Sequence, residues 1–267
     1  MYKTEAGKIT VESSNLDVKA TVECGQLFRY EKNQDEYTVK SGGHCCKICT
    51  VGNYVEIETT SVDYFVHYFN LDRDVNRVKR ELSRFEELRP ALDCCGALRI
   101  LKQPLFETII SFIISANNNI PRIKNIINRL CAMFDDTFPS PEQLAALSPR
   151  QLDAIGCGYR SQYICDTAKQ CAETGLLNRL YGARTDDAEK MLMRLPGVGQ
   201  KVADCVTLFA LGRLEIFPVD TWMLKTQRQG METEIQLRAR LMEKYGDLAG
   251  YAQQFLFYYN AILRAKG

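Results

Sequence analysis

Residues 195–220 read LPGVGQKVADCVTLFALGRLEIFPVD, and the fold turns on how this stretch is understood. It opens with a tight hairpin, Pro196-Gly197-Val198-Gly199. A helix-like run follows with Lys201 in its first turn, and the stretch closes on Pro218-Val219-Asp220. Glycines let the backbone turn sharply and lie close to a ligand. The N-terminus of the following helix offers unpaired N–H groups that suit a phosphate. A lysine beside that site and an aspartate a short way on have the makings of chemistry. Taken alone, a Gly-x-Gly is a weak signal, and a plain helix-turn-helix corner with a surface lysine explains it equally well.

Working outward, the chain on both sides of this stretch reads as helical. Pro104 starts an apolar helix, Leu105 to Ala116, which ends in Asn117-Asn118-Asn119, good cap and turn formers. A second helix runs from Arg122 to Phe134. Ser140-Pro141 and Ser148-Pro149 each place a serine cap before a first-turn proline. Gly156-Cys157-Gly158-Tyr159-Arg160 makes a turn into a helix over Ser161 to Thr174, and Asp186 with Glu189 has the spacing of a capping box. Beyond Asp220 helices are expected over Thr233 to Tyr245 and Leu248 to Arg264. The first 60 residues differ. Thr38 to Ile48 and Val51 to Thr60 have strand composition, with turns at Gly42-Gly43 and Gly52-Asn53. Cys24 to Tyr30 (CGQLFRY) reads as a strand with a glycine bulge. From Ser61 the pattern turns helical, with Ser61 and Asp63 as caps. The fold class is α+β, an antiparallel sheet domain followed by an α-helical bundle, with a boundary near residues 90–100.

The 267 residues are 46% hydrophobic, enough for a real core in one or two domains. A formal net charge of +1 gives no global basic field, so any contact with nucleic acid must come from local patches. No signal sequence and no membrane-spanning apolar run is evident, which places the protein inside the cell and off the membrane. Eleven cysteines, an odd number, do not describe a secreted disulfide scaffold. Cys45, Cys46 and Cys49 contain a C-x-x-C spacing beside His44. Zinc needs four convergent ligands, so no metal is firmly assigned.

Four separated motifs, CGQLFRY, SFIISANNNIPRI, GCGYR and LPGVGQKVADC with PVD, occur in order, with GYAQQFLF near the C-terminus as a fifth. Together they resemble the 8-oxoguanine DNA glycosylase/lyase branch of the helix-hairpin-helix (HhH-GPD) glycosylases, over almost the whole length. The resemblance implies a TBP-like N-terminal sheet domain over residues 1–95. It implies a helical HhH-GPD region over 96–267, with two helical subdomains and the hairpin near 195–201. It also implies a monomer acting on double-stranded DNA that contains 8-oxoguanine. No cofactor would be required, though a monovalent or divalent cation could sit at the hairpin.

The same resemblance assigns roles. Lys201 would be the nucleophile, neutral when it attacks the sugar C1′. Asp220 would stabilise the charge left on the sugar, a role compatible with capping a helix. The flipped base would meet the Gly25 carbonyl at its N7–H, lie between Phe257 and Cys205, and present its Watson–Crick edge to Gln253. Asn117, Arg122 and Arg160 would contact the orphaned cytosine and Tyr159 would wedge into the emptied stack. Gly197, Val198 and Gly199 would hold phosphate. Without the resemblance, core packing explains Phe257 and Cys205, a helix cap Asn117, a surface aromatic Tyr159, and solvated surface charge the two arginines. One position departs from the pattern: human-type members carry a histidine two residues after the aspartate, and here Trp222 stands there. Three other readings stay open: a glycosylase for alkylated bases, a non-catalytic HhH DNA-binding module, and a cysteine-based metal or redox protein.

Overall fold

The computed structural model describes residues 2–263. The chain divides into two compact units, one made of residues 1–40, 44–102 and 213–267, the other of 41–43 and 103–212.

The first unit carries a six-stranded antiparallel sheet: β1 (Tyr2–Glu5), β2 (Lys8–Glu12), β3 (Tyr30–Asn33), β4 (Glu36–Ser41), β5 (His44–Val51) and β6 (Tyr54–Glu58), in the order β1-β2-β6-β5-β4-β3. Gly42-Gly43 and Gly52-Asn53 form the turns expected of them. Strand side chains alternate between the two faces, and the register stacks Ile9, Ile57 and Ile48 in one row across three strands. That row is fully buried. Leu16, Val22, Leu27, Phe65, Tyr68 and Phe69 close over it from the segments that flank the sheet. Alternation also separates the cysteines of β5. Cys46 is buried on the core side, while Cys45 and Cys49 lie on the other. The three thiols therefore do not converge.

The sequence pattern missed one element here. Val18–Glu23 is a helix, capped by Asp17, whose carboxylate accepts the Ala20 N–H at 2.9 Å. Its β-branched residues, Val18, Thr21 and Val22, disguise it as strand; burial of all three overrides propensity. Cys24 to Phe28 is correspondingly an irregular segment between this helix and β3, not a bulged strand. The unit is completed by helices Val62–Tyr68, Val75–Leu82, Arg89–Cys94, Thr221–Gln227, Glu234–Tyr245 and Ala249–Phe257. A π-helical turn, Tyr258–Leu263, follows the last of these. Arg264, to which the sequence pattern carries this helix, lies outside the described residues.

The second unit is all helical and is built round Leu105–Ser115, in which every residue but Glu107 is buried. Helices Ile120–Ala132, Arg160–Glu173 and Gln200–Phe209 pack against it. Ser140 and Ser148 close the capping boxes of Pro141–Ala145 and Pro149–Ala154, bonding Gln143 and Gln151. The box read from Asp186 and Glu189 does not form. Helix Thr185–Leu192 begins at Arg184 without a side-chain cap, and Glu189 is buried.

Candidate active site

The hairpin lies in the second unit. Gly197 adopts φ +78°, and a Cβ there would stand 2.7 Å from the Tyr163 ring, so both conformation and space demand glycine. The Val198 N–H closes the turn onto the Leu195 carbonyl at 3.1 Å, and Thr167 Oγ1 donates to the Pro196 carbonyl at 3.3 Å. Val198 itself is buried. A Cβ at Gly199 would meet nothing within 4 Å, so the backbone is open there, at the N-cap of helix Gln200–Phe209. This is the geometry that leaves helix N–H groups available to an anion. Lys201 sits in the first turn of that helix, half-buried, with Nζ 5.2 Å from the centroid of the Phe112 ring. Cys205 follows on the same helix and is buried.

The same unit brings Asn117, Tyr159 and Arg160 together. Asn117 takes φ +51° just after helix Leu105–Ser115, and its Nδ2 reaches Tyr159 Oη at 3.4 Å. Tyr159 is exposed, and the Arg160 guanidinium lies 4.3 Å from its ring centroid. Arg160 is not a surface charge: it is buried, and it spends donors on main-chain carbonyls. Nε bonds Ala116 at 2.9 Å, Nη2 bonds Asn117 at 3.1 Å and also Ala116, and Nη1 bonds Cys157 at 3.4 Å. It ties the Asn117 turn to the glycine-rich loop before Tyr159. Arg122 is exposed and reaches the Gly156 carbonyl of that loop at 3.5 Å. Sequence reasoning missed Tyr163. It underlies Gly197 and meets Tyr159 edge-on at 6.1 Å, so one ring links the hairpin to Tyr159. The signal was available, since Tyr159 and Tyr163 are four apart on a helix.

The remaining residues belong to the first unit. Gly25 has φ +78°, and a Cβ there would stand 3.1 Å from Cε1 of Phe257. The adjacent Gln26 is completely buried and straps the segment down. Nε2 donates to the Thr21 and Arg99 carbonyls, both at 2.8 Å, and Oε1 accepts the Leu101 N–H at 2.9 Å. Arg99, also buried, donates to the carbonyls of Asn15 at 2.7 Å and Asn70 at 2.5 Å. Burial pushes the Cys24 thiol up to about 12, which keeps it protonated beside this loop. Gln253, buried, lies one turn before Phe257 on helix Ala249–Phe257, so the two share a face. Asp220 caps Thr221–Gln227, its Oδ1 accepting the Met223 N–H at 2.8 Å. Trp222 is partly exposed, with the Lys225 ammonium 5.7 Å from its ring centroid.

Comparison with known proteins identifies the family. Residues 8–109 match the 8-oxoguanine DNA glycosylase N-terminal domain, and residues 110–229 match the HhH-GPD superfamily of base excision DNA repair proteins. The N-glycosylase/DNA lyase OGG1 of Arabidopsis thaliana is 30% identical, over 91% of this chain and 77% of that protein. The chain belongs to the 8-oxoguanine DNA glycosylase/lyase family. The N-glycosylase/DNA lyase of Saccharomyces cerevisiae, 28% identical over 94% of this chain and 85% of its own length, agrees. So does the Clostridium acetobutylicum 8-oxoguanine glycosylase/lyase, solved with double-stranded DNA containing cytosine opposite 8-oxoG. It superposes with a TM-score of 0.91 at 30% identity, covering 99% of this chain and 98% of that one. As a family member the protein is a bifunctional DNA glycosylase and lyase, and it binds DNA. All eleven cysteines are free thiols, and among the described residues no cluster of histidine, cysteine or acidic side chains could hold a metal. No described helix is long and apolar enough to cross a membrane.

Proposed function

We infer that the protein excises 8-oxoguanine opposite cytosine from duplex DNA and cleaves the strand through a Schiff base on Lys201. The observation that carries this reading is Gly25 against Phe257. A glycine in a left-handed conformation, pinned by the buried Gln26 amide, meets an aromatic ring that has Gln253 one turn away. A carbonyl there accepts from N7–H of 8-oxoguanine and repels the N7 lone pair of guanine, so one proton separates lesion from normal base. A site built round one hydrogen bond discriminates strongly, because the wrong partner leaves a buried group unpaired.

The chemistry then falls to two residues. The Lys201 amine, with the Phe112 ring excluding water from one side, attacks C1′ as the C1′–N9 bond breaks and the base leaves with a proton. The Asp220 carboxylate, held by its helix N-terminus, stabilises the positive charge that develops on the sugar. The amine then forms a Schiff base with the opened sugar. Loss of a C2′ proton expels the 3′ phosphate by β-elimination. Glycines 197 and 199 hold the backbone of the damaged strand, with or without a cation. Asn117, Tyr159, Arg160 and Arg122 support the strand left unpaired. The hairpin's phosphate contacts fix register without reading sequence, and they let a near-neutral chain bind DNA as a monomer, with affinity falling as salt rises; the contact with the orphaned cytosine is left to Asn117, Arg122 and Arg160.

Single-turnover excision from duplexes carrying 8-oxoguanine opposite each of the four bases tests this. The expected result is fastest release opposite cytosine, with the preference reduced on Arg122→Ala. Release of alkylated bases with 8-oxoguanine untouched would assign the chain to the alkyl-base chemistry instead. Binding without release of any base would make it a DNA-binding module.

A further inference from the structure

Helix Ala249–Phe257 carries two consecutive glutamines, Gln253 and Gln254, and both are buried. Neighbours on a helix point away from one another. These two side chains nevertheless meet: Gln254 Nε2 donates to Gln253 Oε1 at 2.6 Å. The carbonyl oxygen of Gln254 is itself buried and has no hydrogen-bond partner among the described residues. A buried amide oxygen left unpaired is costly. Gln254 is therefore not held in place to satisfy its own polar groups. What it delivers is one N–H, aimed at the side chain that stands one turn before Phe257.

We propose that Gln254 is a positioning residue, fixing which way round the Gln253 amide faces the flipped base and so selecting guanine over adenine among 8-oxopurines. The proposal rests on the 8-oxoguanine reading given above and adds a second test of the base to the one made at Gly25. The Gly25 carbonyl cannot tell 8-oxoguanine from 8-oxoadenine, because both carry N7–H. They differ at the opposite edge. Guanine places the O6 acceptor beside the N1–H donor; adenine places the N6 amino donor beside the N1 acceptor. A carboxamide has one donor and one acceptor side by side, and it fits either edge according to a half-turn about its last bond. That torsion is broad and nearly two-fold, so an unrestrained glutamine would read both edges. The N–H of Gln254 removes the choice. It holds Gln253 Oε1 on one side, turns Nε2 to the other, and leaves a single donor–acceptor order for the base. Oε1 keeps its second lone pair for that purpose.

The test compares single-turnover release of 8-oxoguanine and 8-oxoadenine from otherwise identical duplexes. Rates are normalised to strand cleavage at a preformed abasic site, which has no base to read. Gln254→Met removes the N–H at nearly constant length. Gln254→Glu keeps the shape and, at a pH where the buried carboxyl is ionised, offers only acceptors, which turns Gln253 Nε2 toward it and reverses the amide. The expected result is a fall of about tenfold in the 8-oxoguanine to 8-oxoadenine ratio in the Met variant, and a larger fall in the Glu variant. If the Met variant does not fold, the near-isosteric Glu variant carries the test. A purely structural role would slow both substrates together, and an unchanged ratio in the folded variants overturns the proposal. So does a wild-type enzyme that releases the two bases equally well. Failure of the underlying reading looks different: the wild type would release neither 8-oxopurine while still cleaving abasic DNA.

Discussion

Gly25 and Gly197 share one backbone device, and the roles proposed for them differ. Each has φ +78°, and each lies so close to an aromatic ring that a Cβ would crowd it, at 3.1 Å from Phe257 and 2.7 Å from Tyr163. Their surroundings differ. Beside Gly25, the buried Gln26 and Arg99 satisfy main-chain carbonyls from four separate segments, so the loop is fixed by tertiary hydrogen bonds. At Gly197 the turn is held by Val198 on Leu195 and by a single tertiary bond, Thr167 on the Pro196 carbonyl, and two residues on, at Gly199, the backbone faces open space. Recognition of one atom on a base needs a carbonyl that cannot move. A grip on phosphate needs only N–H groups that are close together and unobstructed.

Alanine substitution at the two glycines separates these roles. Gly25→Ala forces a strained φ and displaces Phe257. Excision of 8-oxoguanine should fall on the order of a hundredfold, with affinity for undamaged duplex unchanged; single-turnover kinetics and a binding titration together decide. Gly197→Ala should do the reverse, lowering affinity for any duplex by about tenfold while the ratio of 8-oxoguanine to guanine release holds. Loss of selectivity in the second variant, or of general affinity in the first, would mean that the two loops act as one site.

The smallest expected effect lies at the base of the Gly25 loop. Glu23 ends the helix before Cys24, accepts the Tyr37 hydroxyl at 2.6 Å and pairs with Lys32 at 3.0 Å. Burial acts to raise its carboxyl, but the hydrogen bonds from Tyr37 and Lys32 prevail and hold it below the ordinary value of 4.5. A lowered carboxyl contributes stability above its unfolded value and loses it as pH falls through the folded one. Glu23→Gln should therefore cost about 1 kcal/mol near neutrality, and the difference from wild type in urea melts should vanish below the carboxylate range. A difference that persists in acid would place the effect elsewhere.

How much of this could be read from the sequence depended on whether the signal was local. The hairpin, the Asp220 cap, the serine capping boxes and the glycine turns of the sheet are short-range patterns, and they appear where the residues place them. The helix Val18–Glu23 was hidden because its β-branched residues serve a core that only the sheet creates. CGQLFRY was misread as strand because what shapes it, the Gln26 amide on Arg99 and Leu101, joins residues more than 70 apart. The surface-charge reading of Arg160 fails because the residue is buried and bonds main-chain carbonyls of Ala116, Asn117 and Cys157, partners that no local pattern reveals. Gln254 carries no periodic signal; its part depends on a rotamer.

Borohydride trapping on a duplex with 8-oxoguanine opposite cytosine puts the role of Lys201 to the proof. The wild-type chain should form a covalent protein–DNA adduct whose attachment maps to Lys201, and Lys201→Gln should form none while still binding the duplex. An adduct of undiminished yield in Lys201→Gln, or base release by the wild type with no adduct at all, would contradict the lysine mechanism.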